Sequence, residues 1–142
     1  MKHSPSGNDG IQQYKKVEAQ TSAEFTTPHR LIQMLLAGAI EKVQLAKEHM
    51  QQGETVLKGN QISWAISIID GLRMSLDKDS NNEISENLDA LYEYMGRRLL
   101  EANMNDSVDT VDEVVGLLME IKSAWDSVPE LLAQENTAAP GQ

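Results

Sequence analysis

No cysteine occurs in the chain, so neither disulfides nor thiolate zinc sites are available to it. Aromatic residues are scarce: one phenylalanine, two tryptophans and three tyrosines in 142 residues. Positive charge is in the minority, with 12 basic residues against 22 acidic ones and a formal net charge of −10. A field of that sign opposes DNA, RNA and anionic lipid, whose affinity comes largely from positive charge meeting phosphate. No apolar run approaches the roughly 20 residues of a membrane span, and the first ten residues lack the hydrophobic core of a secretory signal. The expectation is a cytoplasmic protein that does not bind nucleic acid and does not insert into a membrane.

What the chain does have is helical periodicity. Residues 1–10 are polar and rich in Gly, Ser and Pro, the composition of a disordered tail. Residues 11–27 form a cap segment and linker, in which Ile11, Tyr14 and Val17 space like a turn of helix too short to stand alone in water. Thr27 is placed to cap a first helix, with Pro28 at its first position, where a missing N–H costs nothing. That helix runs to about Gln52 and stops at Gly53. Three more follow, over roughly Gly59–Leu76, Glu83–Asn103 and Ser107–Ser127, and Val128-Pro129 ends the last. Residues 28–128 are therefore expected to form an all-α domain, an antiparallel four-helix bundle with the short N-terminal segment docked on it, and residues 129–142 a tail.

The helices carry more apolar faces than a bundle needs. In the first, Leu31, Leu35, Gly38, Lys42 and Leu45 make one heptad-spaced line, and Ile32, Leu36, Ala39, Val43, Ala46 and Met50 make a second, more apolar one. Met34, Ala37 and Ile40 widen the arc. In the fourth helix Val111, Val114, Leu118, Ile121 and Trp125 form a seam, leaving Val115, Leu117 and Met119 for other faces. Trp64 and Ile68 fall off the main stripe of the second. Such a surplus suits either wider burial, including self-association as a homodimer, or grooves for the amphipathic segments of another chain. Seven methionines beside a single phenylalanine fit both, since thioethers fill core gaps and also line adaptable surfaces.

Signals for chemistry are absent or broken. Asp77, Asp79 and Asn81 imitate the start of a calcium loop, but Asn82 replaces the turn glycine and Leu88 the closing glutamate. Neither His29 nor His49 is preceded three residues earlier by the glutamate of a di-iron site. No nucleophile motif and no phosphate-cradling glycine loop is present. No metal, no cofactor and no enzymatic activity is expected. One alternative is a histidine phosphotransfer module, also a four-helix bundle: His49 is followed by Gly53 at suitable spacing, although Gln52 stands where a cation would steady the phosphoryl group.

The residues resemble one family in particular. Tyr14-Lys-Lys-Val-Glu-Ala-Gln-Thr21, Pro28-His-Arg-Leu-Ile-Gln-Met-Leu35 with Gly38-Ala39, Leu76-Asp77, Glu83-Ile84 with Asn87-Leu88, and Leu91-Tyr-Glu-Tyr94 are similar in order and spacing to flagellar secretion chaperones of the FliS family. Arg97-Arg98-Leu99, Ala102-Asn103, Asn105-Asp106, Val115-Gly-Leu-Leu118 and Trp125 extend the likeness, which runs from about Ile11 to Trp125. It implies a four-helix bundle and an ATP-independent cytoplasmic chaperone that binds the C-terminal region of flagellin. Such a chaperone prevents premature polymerisation and aids delivery to the type III export gate. Members usually carry an aromatic and an acidic residue where this chain has Leu36-Ala37, and two glycines in place of Asn81-Asn82. With the surplus apolar positions, the resemblance implies a flagellin-binding set of Ile11, Tyr14, Leu36, Ile40, Trp64, Ile68, Tyr92, Val115 and Met119.

Overall fold

The computed structural model describes residues 27–77 and 82–138, and every regular element among them is helical. The elements are α1 (Pro28–Gln51), α2 (Thr55–Met74), α3 (Glu83–Asn105), α4 (Val108–Asp126) and α5 (Val128–Ala138). Local chemistry sets most boundaries. The Thr27 hydroxyl accepts the Arg30 N–H at 3.1 Å, and Pro28 opens α1. Asn82 accepts from the Ile84 N–H and Ser107 from the Thr110 N–H, so α3 and α4 start on capped N–H groups that would otherwise lack partners. Gly53 takes the left-handed conformation (φ +72°) that turns the chain from α1 into α2. Asp106, also left-handed at φ 50°, does the same between α3 and α4.

α1 packs on α2 and α4, and α3 packs on the same two, while the diagonal pairs stay apart. Cross-helix bonds fix the directions. Lys47 and Gln33 of α1 reach Asp112 and Asp126 of α4 respectively, and Arg73 and Lys58 of α2 reach Asp89 and Asp106 beside α3. In each case a higher number on one helix meets a lower one on its neighbour, so adjacent helices are antiparallel. The architecture is an up-down-up-down four-helix bundle, as the periodicity requires.

The core draws on all four helices: Leu36, Ala39, Val43 and Ala46; Ile62, Ala65 and Ile69; Met95, Leu99 and Ala102; Val111, Val114 and Leu118. Each large side chain removed from water contributes about 1.5–3 kcal/mol against the chain entropy lost on folding. The more apolar line of α1 thus faces inward, and only Leu35 of the other line is buried.

Two elements differ from the periodic reading. α2 begins four residues earlier than Gly59, at Thr55, which adds Lys58 to its buried face at the helical spacing 58, 62, 65, 69, 72. At Val128-Pro129 the chain ends α4 and starts α5, because proline is tolerated in a first helical turn. α5 packs only against α4 and leaves Leu131 and Leu132 exposed.

Candidate functional site

The four seams between neighbouring helices differ in what closes their outer edge. Polar side chains close the two seams that involve α3. Between α3 and α4 the Tyr94 hydroxyl donates to Glu113 Oε2 at 2.7 Å, and Arg98 Nε donates to Glu113 Oε1 at 2.9 Å. Arg98 Nη1 also reaches Glu101 at 2.7 Å. Arg97 pairs with Glu93, one turn earlier, and both guanidinium groups lie within 6 Å of the Tyr94 ring, at 5.6 and 5.9 Å. Hydrogen bonds from Tyr94 and then Arg98 hold the Glu113 carboxyl below its usual range, and the same network raises Arg98. Between α2 and α3, Arg73 clasps both carboxylate oxygens of Asp89 at 3.0 and 3.2 Å. Lys58, whose side chain is only 4% exposed, donates from Nζ to the Asn103 carbonyl at 2.9 Å and to Asp106.

The two seams that flank α1 also carry polar contacts, but between these contacts their outer edge is lined by apolar and small residues. On the α4 side, Gln33 donates to Asp126 at 2.8 Å, and Lys47 pairs with Asp112 at 2.8 Å. Ile40 lies two helical turns from Gln33 and two from Lys47. Met119 lies likewise between Asp112 and Asp126, so this register sets Ile40 and Met119 level across the seam. Val115 sits one turn from Met119. Ile40 and Val115 are half-buried against the core, and Met119 is 53% exposed. Ala37 and Gly116, both exposed, leave the trough shallow-walled. Trp125 closes its far end, stacked on His29 at 4.8 Å and donating to the His29 carbonyl at 2.9 Å.

On the α2 side, the half-buried Trp64 ring carries the Lys42 ammonium 4.0 Å above its centre. One turn along, Gly38 lies over Ile68: a Cβ added there would come to 3.6 Å from Ile68 Cδ1, an ordinary packing distance. Leu31, Met34 and Leu45 extend the strip along α1, all half-buried.

The expected binding residues therefore separate into groups. Ile40, Val115 and Met119 come together on the α1–α4 seam, and Trp64 lies on the α1–α2 seam. Leu36, Ile68 and Tyr92 are not surface residues: they are 0%, 5% and 3% exposed and belong to the core. Leu36 lies on the inward line of α1. Ile68 is folded under Gly38, and burial pushes the Tyr92 phenol up to about 12. Leu36 and Ile68 lie beneath the seams of α1 and Tyr92 in the core on α3, and none offers a surface to a ligand without repacking. Ile11 and Tyr14 lie outside the described residues. His49, the phosphotransfer candidate, has its Nδ1 2.7 Å from Glu54 Oε1. That contact occupies one ring nitrogen and ties the end of α1 to the turn that leads into α2.

Periodicity passed over Lys58 and the Glu113 network. Extending the spacing of Ile62 and Ala65 back by one turn would have found Lys58. Glu113 carries no local signal, because its partners are 15 and 19 residues away.

Residues 10–131 match the family model described as "Flagellar protein FliS". The chain is 40% identical over 119 residues to the flagellar secretion chaperone FliS of Vibrio cholerae, covering 84% of this chain and 88% of that one. To FliSB, a flagellar secretion chaperone of Pseudomonas aeruginosa, it is 42% identical, covering 83% and 94%. To the Salmonella typhimurium FliS it is 41% identical, covering 89% and 96%. A crystal structure of a bacterial flagellar chaperone superposes with a TM-score of 0.68 at 14% identity, covering 84% of this chain and 98% of that chain. At that identity the likeness speaks for the fold alone.

Proposed function

Because this chain belongs to the FliS family of flagellar secretion chaperones, we propose that it binds the C-terminal region of flagellin in the troughs flanking α1. In this reading the chaperone keeps that region from polymerising early and aids its delivery to the type III export apparatus. It works in the cytoplasm without ATP, by binding alone. The family is one of chaperones rather than enzymes, and no described helix is long and apolar enough to cross a membrane.

One observation carries the proposal: between the Gln33–Asp126 and Lys47–Asp112 pairs the α1–α4 seam presents the apolar Ile40, Val115 and Met119, and the α1–α2 seam presents the half-buried Trp64. A side chain already packed on the core keeps its position at little further entropy cost, and its exposed part still gains about 25 cal/mol for each Å² covered. Two such troughs on either side of one helix suit a long, amphipathic ligand that lacks a fold of its own.

Titration with a flagellin C-terminal fragment tests this. By calorimetry and circular dichroism the fragment should gain helix on binding and give a large negative heat-capacity change. No binding at tens of micromolar, about −6 kcal/mol, overturns the reading.

A further inference from the structure

Of the methionines among the described residues, Met95 is enclosed (0%), Met50 nearly so and Met34 half-buried, while Met74, Met104 and Met119 are open to solvent. Met74 and Met104 end α2 and α3, away from the α1–α4 seam. Met119 alone of these three stands on that seam, level with Ile40. The chain also has no thiol to intercept an oxidant first, so its exposed thioethers are the most readily oxidised sulfur it offers.

We infer that Met119 is an oxidation site through which peroxide weakens ligand binding. This rests on the proposed use of the α1–α4 trough. In the reaction the Met119 sulfur takes one oxygen from a hydroperoxide. An S–O bond forms as the O–O bond breaks, the sulfur loses two electrons, and hydrogen peroxide is reduced to water. No bond of the side chain is broken, and a sulfoxide reductase restores the thioether. The product places a strong hydrogen-bond acceptor in the trough beside Ile40 and Val115, which have no donor; of the polar residues one turn along α4, Lys122 is already paired with Asp126 and Ser123 is exposed to solvent. A bound apolar segment would strip water from that oxygen and return nothing. Affinity should fall about tenfold to a hundredfold, the loss expected when a polar group is desolvated without a partner. The bundle itself should persist, because the sulfur is already at the surface.

The experiment treats the full-length protein with dilute hydrogen peroxide and removes the oxidant. It then maps sulfoxides by peptide mass spectrometry and titrates a flagellin C-terminal fragment. Each variant is compared with its own untreated sample. The parent and a Met74→Leu, Met104→Leu double variant should lose affinity on treatment and recover it with methionine sulfoxide reductase. Met119→Leu should show no treatment-dependent loss. The inference is overturned if Met119→Leu loses as much affinity as the parent, or if Met119 stays reduced while Met74 and Met104 are converted. It is also overturned if treated protein melts at a lower temperature in proportion to its lost binding. Failure of the untreated parent to bind overturns the flagellin reading itself, a different result from any of these.

Discussion

Replacing Lys58 by methionine tests how the start of α2 is held to the end of α3. The lysine stem lies on the buried stripe that continues through Ile62 and Ala65, and its ammonium reaches the Asn103 carbonyl and Asp106. Methionine keeps most of the apolar stem and removes the charge. Two effects then oppose each other. Hydrogen bonds to a charged group are worth about 1.5–3 kcal/mol net, and their loss leaves a carbonyl at the end of α3 without a partner. Against this, the chain no longer desolvates an ammonium. The Asp106 carboxylate is 66% exposed and stays hydrated without its partner, so the variant strands no buried charge. The net cost should be about 1–2 kcal/mol, seen as a fall of roughly 3–8 °C in melting temperature. Asp106→Asn tolerates the same left-handed backbone and keeps the Asn103 bond, so it should cost less. Flagellin binding should be unaffected in both, because neither residue lies on a seam of α1. Thermal and urea denaturation of the three proteins decide the matter. A Lys58→Met protein as stable as the parent would mean that desolvation outweighs the two bonds, and the clamp reasoning would be refuted.

Two further outcomes are expected. Glu113 is held below its usual carboxylate range in the folded chain, so the stability it contributes is fully present above its ordinary value and is lost as pH falls through the folded value. Melting temperature should therefore drop on acidification from about pH 5 to pH 3, and Glu113→Gln should flatten that part of the curve. Replacing Ile11 and Tyr14 together by alanine should reduce flagellin secretion more than it reduces affinity for the isolated fragment, if these residues match, as the family resemblance implies, positions near where bound flagellin meets the export gate. Secretion assays beside titrations would show this, and equal secretion by parent and variant would remove those residues from the mechanism.

The helices were legible because their ends carry local chemistry. Thr27 with Pro28, Gly53 and Ser107 each act within a turn of where they stand, and the structure uses all of them. The start of α2 was not, because Glu54 makes no side-chain cap and Gly59 looks like a beginning. The troughs were legible only in part. On α1 the two apolar lines lie side by side, and periodicity cannot tell which turns inward. Leu36 and Ile40, four residues apart, differ by about 40° around the helix. That rotation separates a fully buried side chain from a half-buried one. Ile68, beside the main stripe of α2, is enclosed for the same reason, whereas Tyr92 shares the buried stripe of Met95 and Leu99 that its spacing already indicates. The polar closure of the α3 seams depends on partners distant in sequence, which no local pattern reveals.

The central claim, that the seams of α1 hold flagellin, is tested most directly by a paired measurement on one variant. Ile40→Asp with Val115→Asp puts two charges on the rim of the α1–α4 trough, where solvent can still reach them. Affinity for the flagellin fragment should fall by at least about thirtyfold, roughly 2 kcal/mol, while the variant still melts cooperatively within a few degrees of the parent. Val114→Asp, a charge at a fully enclosed position one residue away, should unfold the bundle instead. If the double variant stays folded and binds flagellin as tightly as the parent, the ligand lies elsewhere and the account is wrong.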